Sequence, residues 1–338
     1  MIKMGKRGTT TDKGIQNVSR NIFHHENAVL GIVLAALIVI MGIITKGATV
    51  GRANVTNIAL QSAIRGVVSV GQSFVILSAG IDVSVGGIGL FSSILGASLM
   101  TSSFMNILGR PIPLLAALPI MVVVGIGWGS INGSLVSRLG MPPLIVTLGM
   151  WEITKGMAFQ VGGGQSIGFL PDSLLFFGSG KIAGVPVPVV IFIIIAVIGY
   201  FILNYTSYGR SVYAVGGNPV SAWLSGINVD NVLFSVYAIS GFLAGIASVI
   251  ITGRVMSASM ITLEGLELDT IAATTVGGVS LAGGKGSLIG VILGVFIIGV
   301  INNAMSVMGA NPSVQGTVKG LIIIIAVAVD HIRRRRNG

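Results

Sequence analysis

The chain has 338 residues, of which 53% are hydrophobic and only 9% charged, with 50 glycines, no cysteine and a formal net charge of +10. Since a soluble domain carries roughly 25% charged residues to wet its surface, this composition excludes a soluble fold, and the missing cysteines exclude a disulfide scaffold. The apolar content also excludes a disordered chain, so composition predicts an integral membrane protein.

The basic residues are concentrated at the two ends. Five of them lie between Lys3 and Arg20, and residues 333–336 are all arginine. Because Lys and Arg beside membrane spans are retained on the cytoplasmic side, both termini are predicted to be cytoplasmic, which requires an even number of crossings. Such tails could instead bind nucleic acid, but neither has interleaved aromatic residues, so we predict no nucleic-acid partner.

Ten apolar segments follow the amino-terminal tail, and a spanning helix needs about 20 apolar residues. Six segments are clear: 28–45, 114–136, 185–203, 231–251, 287–305 and 316–329. Four are shorter or more polar: 57–79, 86–100, 143–161 and 267–281. We therefore predict an all-α polytopic membrane protein of about ten transmembrane helices, some broken or re-entrant. A single transmembrane domain, 28–330, lies between basic cytoplasmic tails, 1–27 and 331–338.

Two glycine-rich stretches, 78–89 and 278–286, interrupt the apolar segments. Polar backbone at membrane depth is tolerated only where it is buried in protein or lines a water-filled path. Their similar pattern favours an internal duplication whose broken helices mark a transport pathway, although a glycine-rich chain can repeat such turns by chance. Asp82, inside the first stretch, either caps the helix that starts near Ser84 or faces that pathway.

Charged residues inside the predicted spans are few, and they are Arg65, Asp82, Glu152, Lys155, Asp269 and Lys319. Each costs about 2.5–3.5 kcal/mol at a helix centre, so each should be paired, near an interface or lining water. Glu152 and Lys155 are three residues apart on one helical face and are predicted to neutralise each other, with a proton relay as the alternative. Glycines spaced by four, at 125, 129 and 133 and at 286, 290 and 294, predict close helix packing.

No catalytic constellation or metal site is predicted, because the chain has no cysteine and its three histidines flank the membrane ends. Residues 278–287 are close to a phosphate-binding loop in pattern. The glycine-lysine spacing is off by one residue, however, and Gly286 stands where Ser or Thr would hold magnesium. We therefore expect no cofactor in this chain, with any ATP and Mg²⁺ bound by a partner ATPase.

The longest polar segment between spans, 205–230, is predicted to be a cytoplasmic loop. Asn218 and Pro219 form a helix start and Gly226 a helix stop, which predicts a short helix over 219–225. This helix would expose Val220, Trp223 and Leu224, a set suited to docking into a groove of a partner. The alternative is a helix that lies on the lipid interface with Trp223 as its anchor.

Four runs in this sequence resemble the permease subunits of bacterial ribose-type monosaccharide ABC importers. They are GQSFVILSAGIDVSVG at 71–86, GRSVYAVGGNP at 209–219, LSGIN at 224–228 and SLAGGKG at 280–286, within a resemblance from about residue 54 to 330. It implies a dimer of ten-span permeases related in fold to the vitamin-B12-type importers. It also implies a tandem nucleotide-binding ATPase inside, an extracytoplasmic sugar-binding protein outside, and surrounding membrane lipid.

The resemblance also assigns roles to residues. The segment matching 209–228 would be the ATPase-coupling segment, with Gly209, Arg210, Gly216, Gly217, Asn218, Pro219, Ala222, Trp223, Leu224 and Gly226 as its key positions. The motifs at 71–86 and 280–286 would lie near the translocation pathway. Together with polarity inside apolar segments, this nominates Gln72, Asp82, Ser84, Asp269, Ser280, Asn302 and Asn303 as pathway residues.

The predicted function is the permease step of an ATP-driven monosaccharide importer in the bacterial inner membrane. Ribose is the leading substrate, with xylose, arabinose, galactose and autoinducer-2 as alternatives, and homodimer and heterodimer both remain open. The rival classes are a proton- or sodium-coupled secondary transporter, with Glu152 or Asp82 as the ionised group, and a passive facilitator.

Overall fold

The computed structural model describes the backbone of residues 10–337 and the side chains of residues 27–311 and 313–332. In this range the chain forms 13 α-helices, one 3-10 turn and a two-stranded ribbon. The helices are α1 Thr10–Ile44, α2 Arg52–Leu77, α3 Val85–Met100, α4 Leu114–Ser137, α5 Pro143–Gly162, α6 Leu175–Ser179, α7 Val187–Tyr205, α8 Ser207–Gly217, α9 Pro219–Leu224, α10 Val229–Val255, α11 Leu266–Val276, α12 Leu288–Val307 and α13 Pro312–Asn337. The 3-10 turn is Asp172–Leu174, and β1 Lys181–Ile182 pairs antiparallel with β2 Val185–Pro186.

The predicted all-α polytopic fold is confirmed. Each of the ten predicted segments overlaps one helix, and seven helices of the described range are long and apolar enough to cross a membrane: α1, α2, α4, α7, α10, α12 and α13. Helices α3 and α11 have 16 and 11 residues, fewer than the roughly 20 that a span needs. The count of ten crossings therefore stays a prediction.

The predicted boundaries need three corrections. The weak segment 57–79 corresponds to an unbroken helix of 26 residues, α2, which begins five residues earlier and ends at Leu77. Helix α1 already begins at Thr10, and α13 continues to Asn337, so much of both predicted tails is helical. Residues 1–9, with three of the predicted amino-terminal basic residues, lie outside the described part of the chain, as do the side chains of residues 333–336.

Helix α10 lies at the centre of the bundle, packed against α4 and α2. The predicted glycine face is confirmed on α4: a Cβ on Gly125 or Gly129 would collide with backbone oxygens of α10, at Gly241 and Tyr237. Helix α2 runs antiparallel to α10, since its Gly71 packs on Ser240 whereas Arg65, nearer its start, lies beside Arg254 at the end of α10. Backbones that approach this closely pack well without large side chains.

Two long helices are each followed by a returning segment and a short helix. After α2, the segment 78–84 turns back along α10, where Gly80 packs on the Tyr237 hydroxyl, and then enters α3. After α10, the segment 256–265 leads into α11. The amino-terminal ends of α3 and α11 meet, because a side chain on Gly86 would collide with the Glu267 carboxylate. Both short helices thus begin inside the bundle.

This arrangement differs from the predicted pairing of 78–89 with 278–286. The first stretch connects the long α2 to the short α3, whereas the second connects the short α11 to the long α12. In the order of its elements, α2–α3 corresponds to α10–α11. The glycines of the two stretches also serve different needs: Gly278, Gly283 and Gly284 have positive φ in turns, whereas Gly86, Gly87 and Gly89 are helical residues of α3 that allow close packing.

Candidate functional site

The predicted short helix in the polar loop is α9. The Asn218 side chain accepts a hydrogen bond from the Ser221 amide (2.9 Å), Pro219 occupies the first turn, and Gly226 ends the helix at φ 83°. Ala222 is 3% exposed and holds α9 on the bundle. The predicted apolar set faces outward: Val220, Trp223 and Leu224 are 64%, 66% and 72% exposed.

Helix α8 precedes α9 and was not predicted. Thr206 caps it by accepting a hydrogen bond from the Gly209 amide, and this Thr206-Ser207 start is the local signal that could have found it. Gly209 packs against backbone carbonyls at the end of α7, while Arg210 is exposed. The Tyr213 hydroxyl donates to the Gly286 carbonyl (3.1 Å), and burial raises the pKa of Tyr213 to about 12, so the phenol stays a protonated donor.

The end of α8 meets both glycine-rich stretches at one junction. The Gly284 amide donates to the Leu77 carbonyl (2.9 Å), and a Cβ on Gly216 would collide with that same carbonyl oxygen. Gly283 packs against Ala79, and Gly284 against Gly217. We call this three-way contact the α8 junction. Because Gly216, Gly283 and Gly284 have no room for a side chain, displacement of α8 must displace the end of α2 and the 277–287 loop.

Although one of its two interpretations predicted it, Asp82 does not cap α3 directly but holds Ser84, the residue that precedes the helix. It is fully buried, and its carboxylate accepts hydrogen bonds from the Ser84 amide (3.0 Å) and the Ser240 hydroxyl (2.7 Å). Asn132 donates to the Ser84 hydroxyl (2.7 Å), and the Gln72 amide, suitably oriented, pairs with the Asp82 backbone. The network anchors the returning segment to α2, α4 and α10.

Asp269, in the first turn of α11, pairs with two cations. Arg65 Nε of α2 lies 2.7 Å from one of its oxygens, and Lys319 Nζ of α13 lies 2.9 Å from the other. Asn302 donates to the same carboxylate at 3.4 Å. The expectation that intramembrane charges are paired is confirmed for these three ionised residues. The pair predicted between Glu152 and Lys155 is wrong.

Lys155 uses a different partner. Its Nζ lies 4.4 Å from the centre of the Trp151 ring, and among the residues whose side chains are described the ion pairs within 4 Å are those of Asp269. A cation over an indole face gains electrostatic attraction, and here it takes the place of the i, i+3 carboxylate contact. Glu152 is exposed on the surface of α5.

The predicted pathway residues thus fall into separate places. Gln72, Asp82 and Ser84 form one buried network, and Asp269 and Asn302 belong to the ion-pair cluster. Asn303 exchanges hydrogen bonds with Asn54 at 2.6 and 2.9 Å, and Ser280 lies 3.4 Å from Asp330. Sequence reasoning named Arg65, Lys319 and Asn302 separately but did not pair them with Asp269, because they come from helices distant in sequence.

Residues 54–327 match the family described as branched-chain amino acid transport system / permease component. The chain belongs to this permease family. The permease is 36% identical over 282 residues to the ribose import permease of Haemophilus influenzae, covering 82% of this chain and 85% of the relative. It is 35% identical over 335 residues to the fructose import permease of Rhizobium meliloti (96% and 91% covered). It is 38% identical over 301 residues to the D-allose transport system permease of Escherichia coli (89% and 90% covered).

The match confirms the resemblance to ribose-type ABC importer permeases, and the apolar helices make the permease a multi-pass membrane protein. No solved structure matches the chain. The likeness to the vitamin-B12-type importer fold therefore stays a prediction.

Proposed function

We propose that the chain is the transmembrane subunit of an ATP-driven importer of a monosaccharide. The observation that carries this proposal is the similarity, over most of the chain, to permeases named for ribose, fructose and D-allose import. Ribose is the leading substrate, because the ribose permeases of Haemophilus influenzae and Bacillus subtilis are among these relatives. In this proposal both termini are cytoplasmic, and a second copy of the chain completes the pathway.

The exposed face of α9 is the proposed contact with a tandem nucleotide-binding ATPase. Trp223 and Leu224 are large, apolar and exposed at the end of the bundle where α7 and α10 are joined. A short amphipathic helix of this kind docks through its apolar face into a hydrophobic groove. ATP and Mg²⁺ would be bound by that partner, and an extracytoplasmic binding protein would deliver the sugar to the opposite end.

The α8 junction supplies the proposed mechanical link. Movement of α9 with the ATPase would be transmitted through Gly216 to Leu77 and to the loop around Gly284. Leu77 is the last residue of α2, and Gly284 lies in the loop that leads into α12. A rigid-body shift of α8 would therefore reach the helices that surround α3 and α11. The buried Asp82 network would keep α3 attached to α10 during this shift.

Uptake into proteoliposomes tests the function. The purified permease, reconstituted with its ATPase and binding protein, should accumulate radiolabelled D-ribose, D-allose or D-fructose only when ATP is supplied on the side of the membrane that carries the ATPase. An ionophore should have no effect on this uptake. Uptake that persists without ATP and collapses with an ionophore would instead indicate a secondary transporter. Uptake that only equilibrates the sugar, with neither ATP nor an ion gradient, would indicate a facilitator.

A further inference from the structure

A pocket of about 350 Å³ lies between α2, α10, α11 and α13, away from α8 and α9. Its polar lining consists of Gln61, Arg65, Arg254, Glu264, Asp269 and Lys319, and aliphatic side chains complete the wall. We propose that this pocket is a binding site for a neutral, polyhydroxylated sugar in transit through the permease. The inference rests on the proposed function and names the place where the chain itself contacts its substrate.

The position of the pocket suits a transport site. Asp269 lies in the first turn of α11, the short helix that begins inside the bundle. Substrate sites of transporters lie where discontinuous helices begin near the membrane midplane, and ionisable groups at that depth mark substrate pathways. The side chains of Arg65 and Lys319 keep 17% and 27% of their surface exposed, so the ion-pair cluster faces an accessible space.

The chemistry of the lining favours a polyol. Each sugar hydroxyl can both donate and accept a hydrogen bond, as any hydroxyl does. The pocket offers carboxylate acceptors at Glu264 and Asp269, donors at Arg254 and Lys319, and both kinds of atom on Gln61. A guanidinium carries several donors and a carboxylate two acceptor oxygens, so either group can contact two neighbouring hydroxyls.

The charges of the lining are largely engaged with one another. Asp269 pairs with both Arg65 and Lys319, and Glu264 lies on the same pocket wall as Arg254, so three cations face two carboxylates. A neutral polyol can bind these groups through hydrogen bonds without breaking the ion pairs, whereas an anion would compete with Asp269 for its cations. The size of the pocket, about 350 Å³, is near the lower end of the roughly 300–1,000 Å³ typical of small-molecule sites, which suits one sugar ring.

The test fills the pocket without touching its ion pairs. Val255 lines the pocket and is 57% exposed, so Val255→Trp adds bulk at the rim with little cost to folding. Val123 on α4 is similarly exposed, at 62%, and far from the pocket lining, so Val123→Trp is the matched control. Assembled transporters carrying each variant are compared for the initial rate of D-ribose, D-allose and D-fructose uptake and for ATPase activity.

We expect Val255→Trp to lower the uptake rate at least tenfold while it still assembles with the ATPase. Val123→Trp should transport like the wild type. Equal uptake by Val255→Trp and wild type would overturn the pocket assignment alone, leaving the importer function intact. A wild type that imports none of the three sugars would instead overturn the proposed function. A Val255→Trp variant that fails to assemble would make this face a subunit contact and also overturn the pocket assignment.

Direct binding provides a readout independent of transport. Saturation-transfer NMR with millimolar D-ribose on the detergent-solubilised permease should give a signal for the wild type and for Val123→Trp. The signal should be lost in Val255→Trp and reduced in Glu264→Gln, which keeps the shape of the side chain but removes its charge. A signal of equal strength in all four proteins would contradict a site in this pocket, and stronger binding of ribose 5-phosphate than of ribose would contradict a neutral ligand.

Discussion

Asp269 gathers charges from three parts of the chain. Arg65 precedes it by 204 residues, and Lys319 follows it on α13, yet both cations lie within 3 Å of its carboxylate. Removing one member of a buried ion pair costs about 3–5 kcal/mol, because the remaining charge keeps its desolvation penalty. The partial exposure of both cations reduces that cost here.

The first prediction concerns this carboxylate. Asp269→Asn should leave Arg65 and Lys319 without a counter-charge and lower the Tm of the purified permease by roughly 5 °C. Combining it with Lys319→Met should restore part of the loss, since one unpaired cation is removed. Lys155→Met, whose cation contacts an aromatic ring, is the control and should change Tm less. An Asp269→Asn variant that melts like the wild type would contradict the structural importance of the cluster.

Gly216 is the residue that closes the α8 junction. A methyl group there would collide with the Leu77 carbonyl, whereas a Cβ on the neighbouring Gly217 meets nothing within 4 Å. A substitution should therefore disturb the structure at Gly216 and be tolerated at Gly217. This contrast offers a matched pair of variants in one helical turn.

We expect Gly216→Ala to reduce sugar uptake at least tenfold, because the junction must open to admit the methyl group. The ATPase should still co-purify, since α9 itself is unchanged. Gly217→Ala should transport normally. The relevant measurement is uptake per assembled complex, and equal uptake by both variants would show that the junction does not transmit movement.

At the scale of elements, α9 is held by one buried residue and presents the rest of its apolar side chains to the surroundings. Ala222 is packed on the bundle, and Trp223 and Leu224 project from it. Because exposed positions contribute little to folding, substitutions there separate docking from stability. The lipid-interface alternative for α9 makes the opposite forecast, that the ATPase binds regardless of Trp223.

Trp223→Glu should abolish co-purification of the ATPase without lowering Tm, because it places a charge on an apolar docking face. Phe104, 92% exposed in the loop between α3 and α4, supplies the control: Phe104→Glu adds the same charge away from α9 and should not affect ATPase binding. Retained ATPase binding in Trp223→Glu would favour the lipid-anchored alternative.

At the scale of the whole molecule, the order of the helices determines which loops lie on the same side of the membrane. The α8–α9 loop joins α7 to α10, and the loop containing Phe104 joins α3 to α4. If α4, α5 and α7 each cross the membrane, as the ten-span prediction requires, three crossings separate the two loops and place them on opposite sides. The natural chain contains no cysteine, so each introduced cysteine is a unique reactive site.

Cysteine labelling in intact spheroplasts tests this orientation. A membrane-impermeant maleimide should modify Phe104→Cys rapidly and Trp223→Cys only after the membrane is opened. Rapid labelling of Trp223→Cys in sealed spheroplasts would place α9 outside and overturn the assigned orientation. The wild-type chain provides the background, since it has no thiol to react.

Local signals predicted local structure well. The Asn218-Pro219 start and the Gly226 stop define α9, and the four-residue glycine spacing on α4 anticipated close packing. In both cases the signal lies in neighbouring residues or in the spacing along one helix face. The pairing of Glu152 with Lys155 failed, although it too was local, because Trp151 offered Lys155 a competing partner.

The sequence by itself determined that this protein resides in a membrane, roughly where its apolar segments lie, and which family it resembles. Those properties depend on composition, on spacing within one helix and on contiguous motifs. Only the tertiary structure decided which helices share a charge cluster, that α8 joins both glycine-rich stretches, and that α3 and α11 begin face to face. These contacts join residues up to about 200 positions apart, as Arg65 and Asp269 do. The energy of such a contact depends on burial and distance, which a linear pattern does not contain.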